Sequence, residues 1–85
     1  MGAYKVYFRE SVEKDFRTLP RIDARKILSR VELLAVEPRP NGCEKLTGQE
    51  RYRVRQGMYR IVYSIQDDEQ TVWIVKVAHR KDVYR

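Results

Sequence analysis

Arg53, Arg55 and Arg60 lie on either side of a Gly57-Met58 dipeptide, within the run Tyr52-Arg53-Val54-Arg55-Gln56-Gly57-Met58-Tyr59-Arg60-Ile61-Val62-Tyr63, a spacing suited to gripping an anion. A two-residue loop at Gly57-Met58 makes the run a hairpin, with Gln56 facing Tyr59, Arg55 facing Arg60, Val54 facing Ile61 and Tyr52 facing Tyr63. The two-residue side-chain period then gathers the three arginines on one side and Tyr52, Val54, Ile61 and Tyr63 on the other. Opposed side chains in such a pair sit only about 5 Å apart at Cβ, so like charges there cost stability. A cationic cluster kept in spite of that cost implies an anionic ligand, and phosphate fits a guanidinium best.

Composition points to a large anion. The 85 residues suffice for one small domain, residues 1–85, with a single modest core. Lys and Arg number 18 against 12 Asp and Glu, a net charge of +6 with a pI near 9.7, which directs attention to nucleic acid or an acidic protein partner. Residues 51–85 carry 8 basic and 4 acidic groups, and no acid occurs between Arg51 and Gln66. The basicity is therefore concentrated around the hairpin. No run approaches the roughly 20 apolar residues of a membrane span, and the N-terminus lacks a signal-peptide h-region, so no membrane partner and a cytoplasmic location are expected. Cys43 and His79 are the only residues of their types, so no internal disulfide and no zinc set is expected, and Cys43 reads as an incidental loop thiol.

The elements that must position the arginines follow from pattern. Ala3 to Phe8 reads as a strand from its Tyr and Val content. Ser11 is placed to cap a first helix, near Ser11 to Thr18, in which Val12, Phe16 and Leu19 form one apolar stripe. Pro20 ends it and can open a second helix near Arg21 to Glu37. There Ile27, Leu28, Val31, Leu34 and Ala35 form a broader stripe, and Pro38 and Pro40 stop it. A long connection with turn signals at Asn41-Gly42 and Gly48 leads to a meander of Arg51 to Gln56, Tyr59 to Gln66 and Thr71 to Ala78. The expected fold is α+β: a small antiparallel sheet of about four strands, covered on one face by two N-terminal helices.

The last strand can be set in two ways. If Trp73, Val75 and Val77 join Ile61 and Tyr63 against the helices, then Ile74, Lys76, Ala78 and Arg80 fall on the arginine side, with Arg60 opposite Lys76. That register requires an odd-numbered loop around Asp67-Asp68-Glu69, or a bulge; an even loop places Trp73 beside Arg60 instead. The apolar weight of the Trp73 set favours the first. His79, Arg80, Lys81 and Tyr84 then follow at the rim of a basic patch.

Taken in order, Lys45-Leu46-Thr47-Gly48, Tyr52-Arg53-Val54-Arg55, Gly57-Met58-Tyr59-Arg60-Ile61-Val62-Tyr63 and His79-Arg80-Lys81-Asp82-Val83-Tyr84-Arg85 resemble the RelE branch of the RelE/ParE toxins, over essentially the whole chain. The resemblance implies a RelE-like ribonuclease fold and a ribosome-dependent endoribonuclease that cuts messenger RNA in the ribosomal A site. It also implies a cognate RelB-like antitoxin, contacts with 16S ribosomal RNA, and a toxin–antitoxin complex that binds operator DNA through the antitoxin. The family's active-site pattern matches Arg53, Arg55, Arg60, Arg80 and Tyr84, with Lys45, Arg51, Lys76 and Lys81 as further RNA-binding residues. No metal or cofactor is implied.

The chemistry is consistent with these residue types. Attack of a ribose 2′-OH on the adjacent phosphorus needs a base for that proton, cations for the added charge and an acid for the leaving 5′-oxygen. Arginine supplies bidentate donors and keeps its charge. RelE enzymes often carry lysines at the first two positions, where this chain has Arg53 and Arg55, and arginine is a poor general base. Tyr84 or His79 becomes the candidate for proton transfer. Tyr52, Tyr59 and Tyr63 read as core or sheet-face aromatics. Two rivals stand beside this reading: a ParE-like, non-catalytic DNA gyrase inhibitor, against which the joint presence of Arg60, Arg80 and Tyr84 argues, and a basic RNA-binding module without chemistry.

Overall fold

The computed structural model describes residues 3–46, 48 and 50–81; Tyr84 lies outside the described residues. These form β1 (Lys5–Phe8), α1 (Glu10–Arg17), α2 (Arg21–Val36), β2 (Glu44–Lys45), β3 (Tyr52–Gln56), β4 (Tyr59–Gln66) and β5 (Thr71–His79). One sheet takes the order β1-β5-β4-β3-β2, with β1 parallel to β5 and the other pairs antiparallel. Both helices contribute to the core on one face of the sheet, the α+β arrangement expected. Five strands replace the expected four because Glu44 and Lys45 pair with Arg53 and Tyr52. A two-residue strand is too short to show alternation in sequence.

Each helix starts where the chain leaves the sheet. Arg9 still donates its N–H to the Ile74 carbonyl at 3.0 Å and is the N-cap of α1, so Ser11 sits inside the first turn and does not cap it. Glu10 and Glu13 occupy that turn, where carboxylates complement the helix dipole. Pro20 is the N-cap of α2, with extended backbone. On α2 the buried stripe is Ile27, Val31 and Leu34, narrower than expected, since Leu28 is 43% exposed. Together with Val12 these pack on Val54, Ile61, Tyr63, Val72, Ile74 and Val77 of the sheet.

The β4–β5 pairing corrects the expected register. Gln66 pairs with Thr71 across a four-residue loop that contains a 3₁₀ turn at Asp67–Glu69, and this even loop sends Trp73 to the face away from the helices, beside Ser64. Ile74 then points inward and is fully buried. Tyr63 pairs with Ile74 but Val62 pairs with Lys76, so Val75 is one residue too many and forms a bulge. The bulge shifts the alternation by one. Val77 returns to the core opposite Ile61, while Lys76 and Ala78 face outward, with Ala78, not Lys76, opposite Arg60.

β1 ends opposite Ile74, and among the described residues no strand continues along β5 on that side. Asp15 of α1 fills part of the gap, its Oδ2 accepting the Val77 N–H at 3.2 Å. At the other end of the sheet, Arg39 donates two hydrogen bonds to Asp67, at 3.1 and 2.9 Å, and lies over the Tyr52 ring. The Tyr4 hydroxyl also donates to Asp67 at 2.8 Å. The buried Tyr63 hydroxyl donates to the Pro38 carbonyl at 2.6 Å.

Arg39 chiefly, and then Tyr4, hold the Asp67 carboxyl below the usual aspartate range. A depressed folded-state pKa adds stability that is present above the unfolded value, about 3.9, and is lost as pH falls through the folded one. Thermal melts followed by circular dichroism should therefore show Asp67→Asn melting below wild type at pH 7, with the gap closing in acid. A gap that persists undiminished in acid would remove the carboxylate's charge as its cause.

Candidate active site

The hairpin adopts the expected register, with Arg55 opposite Arg60, Val54 opposite Ile61 and Tyr52 opposite Tyr63. Gly57 has φ +61° and Met58 does not share the left-handed region, as a two-residue loop led by glycine requires. Val54, Ile61 and Tyr63 are buried under the helices. Arg53, Arg55 and Arg60 stand on the opposite, outer face.

Arg60 is the centre of the cluster. Its guanidinium is pushed below the ordinary arginine range, first by burial and then by the charges of Arg55, Arg53 and Arg80, with Glu44 acting in the other direction. Arg55 and Arg53 of β3 and Arg80, just past β5, thus all act on Arg60 of β4. Arg60 Nη1 also donates to its neighbour's carbonyl, that of Tyr59, at 3.2 Å. Arg53 makes a 2.8 Å ion pair with Glu44 and its side chain is only 12% exposed. Val62, the outward cross-strand neighbour of both Arg53 and Lys76, is 7% exposed, as expected where long cationic side chains lay their methylenes on an apolar residue. The Arg80 N–H donates to the Met58 carbonyl at 2.8 Å, which fixes the chain as it leaves β5 beside the hairpin tip.

The remaining candidates divide. Lys76 lies on the arginine face opposite Val62. Lys45 is exposed on edge strand β2 and pairs loosely with Glu50 at 3.7 Å. Arg51 precedes β3, its carbonyl accepting the Leu46 N–H at 2.8 Å, and Lys81 is exposed beyond β5. His79 is not with the arginines. It pairs with Tyr59, meets that ring edge-on at 5.7 Å, and lines a cavity of about 320 Å³ with Asp23 and Lys26 of α2, on the helix side of the sheet. Its Nδ1 accepts the Lys81 N–H at 3.2 Å. Burial first, and then Asp23, raise the Tyr59 hydroxyl above its ordinary pKa. Glu44, the acidic member of the cluster, escaped sequence reasoning because nothing in the Pro38 to Gln49 connection marks it as strand.

The family model for the ParE toxin of the type II toxin–antitoxin system parDE matches residues 6–84. Toxin RelG of Mycobacterium tuberculosis is 36% identical, over 96% of this chain and 97% of its own length. The chain is a toxin of the RelE family, within the RelE/ParE superfamily. Among solved structures, the RelBE2 toxin–antitoxin complex of Mycobacterium tuberculosis contains a chain that superposes with TM-score 0.82 at 28% identity, covering 92% of this chain and 99% of that one. The archaeal RelE-RelB complex of Pyrococcus horikoshii gives 0.80 at 29%, covering 95% and 99%. The RelE fold accounts for two helices on a five-stranded, mostly antiparallel sheet.

Mutual repulsion in the toxin's cluster has a measurable consequence. Like charges opposed on a sheet cost about 0.2–1 kcal/mol per pair, so Arg60→Gln should melt at or above the wild-type temperature in low salt. In 1 M salt, where screening acts over about 3 Å, any gain should fade. A variant that melts lower in dilute buffer would show that Arg60 contributes more by packing than it costs by charge.

Proposed function

We propose that this RelE-family toxin is a metal-independent endoribonuclease that cleaves messenger RNA in the A site of the ribosome and so stops translation. What carries the reading is the convergence of Arg53, Arg55 and Arg80 on Arg60. A phosphate passing through a transition state gains negative charge on its non-bridging oxygens, and fixed guanidiniums stabilise that charge without reorganising. In this reading the 2′-oxygen bonds to phosphorus and loses its proton as the bond to the 5′-oxygen breaks. The products are a 2′,3′-cyclic phosphate and a 5′-hydroxyl. Arg53, Arg55 and Arg60 hold the phosphoryl oxygens, Arg80 steadies the leaving oxygen, and Tyr84 serves in proton transfer. His79, across the sheet, takes no part. Lys45, Arg51, Lys76 and Lys81 extend the electrostatic footprint for RNA.

The solved relatives complexed with RelB support a RelB-like antitoxin as partner. A basic face suits an acidic segment that folds on binding; operator DNA would be reached through that antitoxin, in the cytoplasm. The matching family model carries the ParE description, which keeps gyrase inhibition as the second reading. Purified toxin is therefore to be assayed both on ribosomes programmed with message and in a gyrase supercoiling reaction. Cleavage with undisturbed supercoiling supports the first reading, and the reverse result supports the second.

Arg60→Ala and Arg80→Ala should each slow single-turnover cleavage by roughly 100- to 1000-fold, about 2.7–4 kcal/mol, as for loss of an oxyanion donor. Ribosome affinity should fall much less, because many Lys and Arg contacts share it. Tyr84→Phe should also slow cleavage while keeping the ring. Equal losses in rate and affinity would make the arginines binding residues only.

A further inference from the structure

The outer face does not end at the arginines. Along β4 it runs Arg60, Val62, Ser64, and along β5 Ala78, Lys76, Trp73, with Tyr7 of β1 paired beside Trp73. The Tyr7 and Trp73 rings stack with centroids 5.1 Å apart and planes 30° apart. Tyr7 is 45% exposed and Trp73 is half-buried. On the β4 side Trp73's cross-strand neighbour is Ser64, too small to cover an indole face. Ser64 lies four positions along β4 from Arg60, or roughly 13 Å of strand. Lys76 lies between. An aromatic platform, a cation and a guanidinium cluster thus follow one another in a line on one sheet face.

We propose that Tyr7 and Trp73 form a stacking platform for an unpaired RNA base, with Lys76 holding the backbone that joins this base to the phosphate at Arg60. The platform rests on the ribonuclease reading, extending it from the scissile phosphate to a subsite along the sheet. Sheet-face aromatics beside a basic groove are how proteins hold single-stranded RNA, since every base has a π-face. The net charge of +6 and the cations on this face favour a polyanion over an apolar peptide as occupant. A pair serving only to staple β1 to β5 would stabilise the fold and make no difference to RNA.

Trp73 is the only tryptophan in the chain, so its emission reports on the platform. The full-length toxin is to be titrated with a short single-stranded RNA, 2′-O-methylated throughout to prevent cleavage, and with an abasic oligomer of equal charge. The base-bearing RNA should quench Trp73 saturably and bind at least several-fold tighter than the abasic one. Tyr7→Ser and Trp73→Ala should each weaken the base-bearing RNA by roughly 5- to 150-fold and leave the abasic oligomer unchanged; Trp73→Phe should retain most of the binding and guards against a folding defect in Trp73→Ala. Equal affinities for the two oligomers, saturation by anisotropy without quenching, or no binding of the base-bearing RNA would overturn the platform. Benzoylphenylalanine introduced in place of Tyr7 and irradiated on programmed ribosomes identifies the source of the base. Crosslinks to message or to ribosomal RNA support the platform, and crosslinks to protein alone overturn it. Cleavage by the unsubstituted toxin is scored separately: quenching without cleavage would sink the ribonuclease reading, and cleavage without quenching would sink the platform alone.

Discussion

One extra residue in β5, Val75, decides what each face of the sheet can do. Were Val75 paired regularly with Val62 and the Tyr63–Ile74 ladder continued without a bulge, Lys76 would come opposite Ile61, whose side chain has no exposure at all. Burying an ammonium there would cost several kcal/mol even after relaxation. With the bulge, Val72, Ile74 and Val77 all reach the core while Trp73, Lys76 and Ala78 all face outward. The shift falls where β1 has stopped and Asp15 accepts the Val77 N–H, so the irregular stretch is tied to α1 and not left as a bare edge.

The outer face is assembled against its own electrostatics. Arg55 and Arg60 face each other across one ladder position, and after burial the three other guanidiniums are what hold Arg60 below its ordinary range. Glu44 offsets part of this repulsion through Arg53. The rest is borne by packing on the other side of the sheet and by polar anchors at the far end, where Arg39 and Tyr4 meet on Asp67 and the Tyr63 hydroxyl reaches Pro38. Separating the two ends lets one part of the sheet hold concentrated positive charge while another supplies order.

The hairpin was legible in the sequence because its signals are local: a glycine at the first loop position, period-two alternation, and Tyr52, Val54, Ile61 and Tyr63 sharing one side. The helices were legible for the same reason, apart from the cap of α1. Ser11 looks like a cap, but the pairing of β1 with β5 keeps Arg9 extended and starts the helix there. Trp73 was misplaced because its orientation depends on loop parity and on a bulge, neither of which alternation reveals. Nor can sequence order show that Ala78 and not Lys76 faces Arg60, or that Glu44 comes back beside Arg53. For His79, adjacency to Arg80 in the chain suggested a shared site, yet consecutive residues on a strand point to opposite faces.

The displacement of His79 sharpens the chemical argument. With imidazole on the helix side, the described residues around Arg60 on the outer face are arginines, a lysine and a glutamate already paired with Arg53, and a guanidinium stays cationic at neutral pH. In the proposed reaction such a face stabilises charge well and accepts a proton poorly. With proton transfer left to Tyr84 in that proposal, the rate also depends on how the 2′-oxygen is aligned with the phosphorus. Alignment of that kind is worth about 7–11 kcal/mol when a rigid frame imposes it. In the proposed function, a ribosome that presented the message to the arginine face in a fixed shape would supply that alignment.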